Sequence, residues 1–229
     1  LLEQPGKIYF YNSTLIINKL NLSLSNNKYI NSKISLVNFN RARIKGELDI
    51  NIDLEILSQL KALKENEAIS GILNGNIIFE GLTTDFKTLN TNNLTCSGEV
   101  NAQGIEYGEI NAPPDYKVIS SKLSLKGEDL EFKDTEAIYN NNNYTLNGLL
   151  INPLQSFLKE KPYNISSTIF ANKIVIPSDE SSSDEDFDLT SIFNLEGKII
   201  VNELVYDKIV ATDISSDFIY NTNTIKLNN

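Results

Sequence analysis

Acidic side chains are the densest chemical feature of this chain: residues 178–189, SDESSSDEDFDL, hold six carboxylates. Carboxylates at that density suggest calcium, but an EF-hand loop needs oxygen ligands at alternating positions, a glycine at its sharp turn and a closing bidentate glutamate. The run contains no glycine, and Ser181, Ser182 and Ser183 divide it into two clumps, Asp179/Glu180 and Asp184/Glu185/Asp186/Asp188. Like charges arranged this way repel and extend one another, which is the behaviour of a solvated spacer. The sequence therefore predicts no metal site here. It also predicts that Ser178–Asp186 can be removed with little effect on stability, since an exposed charged segment makes few contacts.

The other candidate chemistry is thinner. Histidine is absent, which removes the usual general base near neutral pH and any serine–histidine triad. Cys96, in NLTCSGEV, is the one cysteine; with no imidazole to generate a thiolate, it reads as an ordinary buried thiol. A carboxylate pair such as Glu128/Asp129 has the group type for glycoside cleavage, but that reaction also wants aromatic platforms and a shielded acid. These two sit in turn-like sequence, where solvated surface is the default. Glycines at 71, 75, 81, 98, 104, 108, 127, 148 and 197 mark strand starts and turns, and none assembles a phosphate-binding loop ahead of a helix. Neither an enzyme nor a cofactor is expected.

Length and composition set the outer bounds. A chain of 229 residues makes one large all-β domain or two small ones, and a hydrophobic content of 41% supports a folded core. The net charge of −10 argues against nucleic acid, whose phosphates would be repelled. More than half of that charge comes from the acidic run, so no acidic binding face follows from it. One cysteine builds no internal disulfide framework, which suits a cytosolic or bacterial periplasmic setting. The longest apolar runs, such as Leu15-Ile16-Ile17, fall far short of the ~20 residues of a membrane span. No signal-peptide pattern opens the chain, and the missing first methionine reads as the mark of a fragment or processed chain with any anchor outside it.

The elements that must position these residues are mostly strands. In IKGELDINIDL, residues 44–54, Ile44, Gly46, Leu48, Ile50, Ile52 and Leu54 fall on one parity and Lys45, Glu47, Asp49, Asn51 and Asp53 on the other, the period of two of a strand with one dry face. The pattern recurs with Leu73, Ile77 and Phe79; with Ile119, Leu123 and Leu125 opposing Lys122, Ser124 and Lys126; with Ile165, Ile169 and Ala171; and with Val210, Ile214, Phe218 and Tyr220. About thirteen such segments follow one another, joined by turn-rich pieces including Asn26-Asn27, Pro113-Pro114-Asp115 and Asn140–Asn143. Helical spacing occurs in Leu54, Leu57, Leu60 and Leu63 behind a cap at Asp53, which predicts a short helix near 54–64. A second is predicted where Asn152 caps and Pro153 takes the favoured first position. The expected fold is mainly β: a long antiparallel series of strands with one or two short helices.

The order of phrases in the second half carries a resemblance. YTLNGLLINPLQSFL (144–158) is followed by YNISSTIFANKIVI (163–176), the acidic spacer, and then FDLTSIFNLEGKIIVNELVYDKIVATDISSDFIYNTNTIKL (187–227). This resembles the C-terminal part of the AsmA-like family of bacterial envelope proteins in its Bacteroidetes form. There a G-x-l-x-N-P-l turn precedes a strand pair, an F-D-L restart and a G-x-x-x-v-x-x-L-x-Y strand. Gly148, Asn152, Pro153 and Leu154 match the first; Phe187, Asp188 and Leu189 match the restart; Gly197, Val201, Leu204 and Tyr206 match the last. Upstream, SGILNGNIIFEGLTTDFKTL (70–89) is similar to the family's segment before its G-x-V strand, here Gly98–Val100. The likeness covers most of residues 44–227.

The resemblance implies a bridge-like lipid carrier: an elongated, twisted β-groove in the periplasm, anchored in the inner membrane through an N-terminal helix outside this chain. It implies phospholipid or other acyl lipids as partners and no catalytic or metal residue. On this reading residues 1–176 form a first group of groove strands, 177–188 the acidic spacer, and 189–229 the C-terminal strands of the same groove. The residues expected to line it are Leu48, Ile50, Ile52, Leu123, Leu125, Ile165, Ile169, Val210, Ile214 and Phe218. Periodicity alone leaves open what the dry face touches: acyl chains in an open groove, or a second sheet, as in a structural or adhesive β-sandwich of an extracellular surface protein.

Overall fold

The computed structural model describes residues 7–11, 13–23, 29–55, 66–88, 93–114, 116–158, 161–176, 193–221 and 224–228. Thirteen strands form one sheet whose order in space is the order of the chain. They are β1 (Lys7–Tyr11), β2 (Thr14–Ser23), β3 (Tyr29–Val37), β4 (Arg43–Asp53), β5 (Glu67–Leu82), β6 (Thr95–Glu109), β7 (Tyr116–Lys126), β8 (Asp129–Tyr139), β9 (Asn142–Ile151), β10 (Tyr163–Ile176), β11 (Phe193–Tyr206), β12 (Ile209–Asn221) and β13 (Thr224–Asn228). At ~4.8 Å per strand the sheet is roughly 58 Å across. Among the described residues two short α-helices interrupt it, α1 (Thr83–Thr88) between β5 and β6 and α2 (Pro153–Leu158) between β9 and β10.

Turn chemistry explains the up-and-down order. Asn140 and Asn141 both take positive φ, 46° and 57°, and close Tyr139 onto Asn142, the two-residue hairpin loop whose twist matches that of its strands. Gly127 and Asp207 likewise take positive φ in the loops that close Lys126 onto Asp129 and Tyr206 onto Ile209. Helix α2 begins at Pro153 as the sequence predicts, with the Ser156 amide donating to the Asn152 carbonyl, but the predicted side-chain cap is not made: Asn152 takes a φ of 46° and its buried Oδ1 accepts no hydrogen bond. The helix predicted near 54–64 lies outside the described residues beyond Glu55. Helix α1, in TTDFKT, is too short to show a helical period in sequence.

One junction departs from the antiparallel expectation. β10 and β11 run parallel, Tyr163 opposite Phe193 through Ile176 opposite Tyr206. Their sequences stack like with like: Asn194 donates to Asn164 and Asn202 to Asn172, each at 3.0 Å, and Lys173 pairs with Glu203. Residues 177–192 join the far end of β10 to the near end of β11. The segment predicted to be removable therefore has a reach to cover, which the expectation that Ser178–Asp186 is dispensable did not count.

Side-chain alternation splits the sheet into two unlike faces. Arg43, Lys45 and Glu80, Lys117 and Glu106, and Lys126, Lys133 and Glu131 form exposed ion pairs on one of them; pairs so exposed contribute little to stability. The other face is apolar, and among the described residues no second sheet covers it. Burial accordingly comes from neighbours on the same face, and it is deepest for small side chains such as Ala102 and Ala171. Register shifts between Ser70 and Ile72, Val118 and Lys122, and Phe132 and Thr135 add local twist across the middle of the sheet. The result is a twisted open groove.

A candidate binding face

Cross-strand register assembles the apolar face in rows. Ile50, Gly75, Val100, Leu123, Phe132, Gly148, Ser167, Gly197 and Phe218 stand opposite one another in turn from β4 to β12. A parallel row runs through Leu48, Ile77, Gly98, Leu125, Leu130, Leu150, Ile165, Leu195 and Tyr220. On the other side of the first row, Ile52, Leu73, Ala102 and Ser121 continue into Thr135, Leu146, Ile169, Ile199 and Ser216. The link between the halves is a 2.6 Å hydrogen bond between the buried Ser121 and Thr135 hydroxyls.

Two glycines, Gly148 in these rows and Gly46 one row beyond, are filled from the neighbouring strand. A Cβ on Gly46 would collide with the Phe79 ring and one on Gly148 with the Phe132 ring, and each ring belongs to the residue directly opposite. Large rings laid over glycines keep the floor continuous where a second bulky side chain would crowd it. Gly197 is a different case: its φ of 153°, and the Ser167 carbonyl oxygen in the space a Cβ would take, leave room for glycine alone.

Eight of the residues expected to line the groove, Leu48, Ile50, Ile52, Leu123, Leu125, Ile165, Ile169 and Phe218, occupy these three rows. Ile214 stands one row further, opposite Val201 and half-buried. Val210 lies beyond Asp213, whose φ of 54° interrupts the alternation, and is 59% exposed opposite Val205. A spacing of two does not carry a face across such an irregularity. The same holds for Ile119, which shares the parity of Leu123 yet is 48% exposed at the register shift beside Val118.

The sequence reading missed two features. Tyr107, Tyr116 and Tyr139 stand in register on β6, β7 and β8, the last two stacked with ring centroids 5.1 Å apart and planes 6° from parallel. Nothing in their spacing announces this, because only strand pairing brings them together. The second is an internal likeness: GEVNAQGIEYGEI (98–110) parallels GKIIVNELVYDKI (197–209), and ISSKL (119–123) parallels ISSDF (214–218). The two copies share a φ of 150° at Gly98 and 153° at Gly197 and bury Ser121 and Ser216 alike, but positive φ at Gly104 and at Asp207 occurs in one copy each. A self-comparison of the sequence would find it.

Two titrating groups, Cys96 and Tyr144, are shifted by burial. Cys96 stands opposite Phe79, and burial pushes its thiol up from the ordinary value, away from the reactive thiolate. Burial first, and then Tyr139, push the Tyr144 phenol up, against a hydrogen bond from Asn142. No cluster of metal-ligating groups occurs among the described residues, and none of their helices is long and apolar enough to cross a membrane. Comparison with family models, curated proteins and solved structures finds no match.

Proposed function

We propose that the apolar face holds lipid acyl chains, and that the chain works as the periplasmic part of an AsmA-like protein carrying phospholipid between the inner and outer membranes. One observation carries this reading: three rows, apolar except for Ser121, Thr135, Ser167 and Ser216, cross nine strands without a covering layer among the described residues. Exposed apolar surface of that extent marks a binding surface. Acyl chains suit it because their burial, at about 25 cal/mol per Å², is non-directional and asks for no polar site. A lipid could then slide along the rows. An adhesive sandwich would need a second sheet over the same face, and the described residues form one sheet.

The test is lipid extraction from the purified protein with mass spectrometry, alongside a thermal melt. Ile169 lies between Leu146 and Ile199 on the open face. Ile169→Asp is expected to remove most of the co-purifying phospholipid while the protein stays folded, since the new carboxylate can reach water once the acyl chain is gone. In a closed core the same change would bury an unpaired charge and cost several kcal/mol. Absence of lipid from the parent, or unfolding of the variant, would count against the groove.

A further inference from the structure

The apolar face is not uniform from one strand end to the other. Along β7 and β8 the opposed pairs run Leu125/Leu130, Leu123/Phe132, Val118/Ala137 and Tyr116/Tyr139, with the bonded Ser121 and Thr135 hydroxyls in the middle. Aliphatic side chains thus occupy the end nearest the Lys126–Asp129 loop, hydroxyls the centre and phenols the opposite end. Tyr107 extends the phenol end onto β6, and Asn142, opposite Tyr139, extends it onto β9. The three rings lie on the groove side: Tyr139 stands opposite Asn142, which alternates regularly with Tyr144 and Leu146 along β9, and Tyr116 and Tyr107 follow Tyr139 in register.

We infer that a phospholipid held against β6–β9 lies along the strands, its polar end at the tyrosine margin and its chain ends toward Leu125 and Leu130. This orientation rests on the lipid reading above. Tyrosine suits the boundary because its ring is apolar and its hydroxyl wants water or a hydrogen-bond partner, as at the interface of a bilayer. The opposite margin of β7 and β8 offers a chain terminus the side chains of Leu125 and Leu130. Reversing the lipid would set its ester and phosphate oxygens against leucines and leave them without donors, at the cost of unsatisfied polar groups.

The chain contains no tryptophan, so one introduced tryptophan reports from one place. Tyr116→Trp places it at the proposed polar margin and Leu130→Trp at the proposed chain margin, with Leu125→Trp in reserve should Leu130→Trp fail to fold. Each protein is loaded with phosphatidylcholine carrying a nitroxide either on the headgroup or at the acyl terminus. The expected result is an inversion: the headgroup label quenches the residue-116 reporter more strongly, and the acyl-terminal label the reporter at residue 130. Equal or reversed quenching overturns the orientation and leaves the groove reading standing. No quenching of either reporter by either lipid overturns the groove reading, and the orientation with it.

Discussion

Shortening the acidic segment gives the sharpest test of the parallel junction. β10 and β11 each contain 14 residues in register, so the joining chain must return across about 43 Å at ~3.3 Å per residue. Residues 177–192 supply seventeen Cα-to-Cα steps between Ile176 and Phe193, a reach of roughly 56–61 Å at full extension. The surplus is about four residues by the same measure. Deleting Ser181–Asp184 is therefore expected to leave stability within ~0.5 kcal/mol, the range for a change away from packed features. Deleting Ser178–Asp186 leaves eight steps and a reach of roughly 29 Å. To close the chain, about two to four residue pairs at the ends of the parallel ladder must separate, at about 1 kcal/mol of net hydrogen bonding each before lost packing is counted. Urea melts would show the shift in midpoint, and amide exchange would place the fraying at Ile176 or Phe193. Replacing all six acids by serine at constant length separates reach from charge and should behave like the parent. A nine-residue deletion with the parent's midpoint and protected strand ends would refute the argument.

Three further outcomes follow from particular contacts. Gly197→Ala, with the Ser167 carbonyl in the way, should cost about 3 kcal/mol or more, whereas Gly104→Ala, at φ 57° with nothing within 4 Å, should cost about 1 kcal/mol of backbone strain; paired denaturation curves give the order. Ser121→Ala strands the buried Thr135 hydroxyl and should cost about 1–3 kcal/mol, while adding Thr135→Val should cost less than the two single changes together, as a double-mutant cycle would show. Lys126 and Lys133 hold the Glu131 carboxyl below its usual range, so its contribution to stability is present above the unfolded-state value and is lost as pH falls through the depressed folded-state value. The difference in melting temperature between the parent and Glu131→Gln should therefore close on acidification.

Strand content and the apolar parity were legible because the side-chain period of a strand is local: IKGELDINIDL already separates Leu48, Ile50 and Ile52 from Glu47, Asp49 and Asn51, and the pairing of β4 with β5 bears out that division. The second helix was legible for the same reason, since Pro153 acts on its own backbone, although the Asn152 side chain does not cap it. Only tertiary structure could decide how strands meet. A parallel pairing of β10 with β11 leaves no local trace, so the acidic segment read as a free spacer when the geometry gives it a length to cover. Faces beyond irregularities were out of reach as well: Asp213 and the register shift near Val118 break the period of two, and Val210 and Ile119 were assigned across them. The tyrosines at 107, 116 and 139 become a ladder because three strands are in register. By itself the sequence determined which residues of a regular strand share its apolar face, whereas the single layer that leaves that face without cover among the described residues was settled only when the strands paired in order, because pairing is a property of the whole sheet.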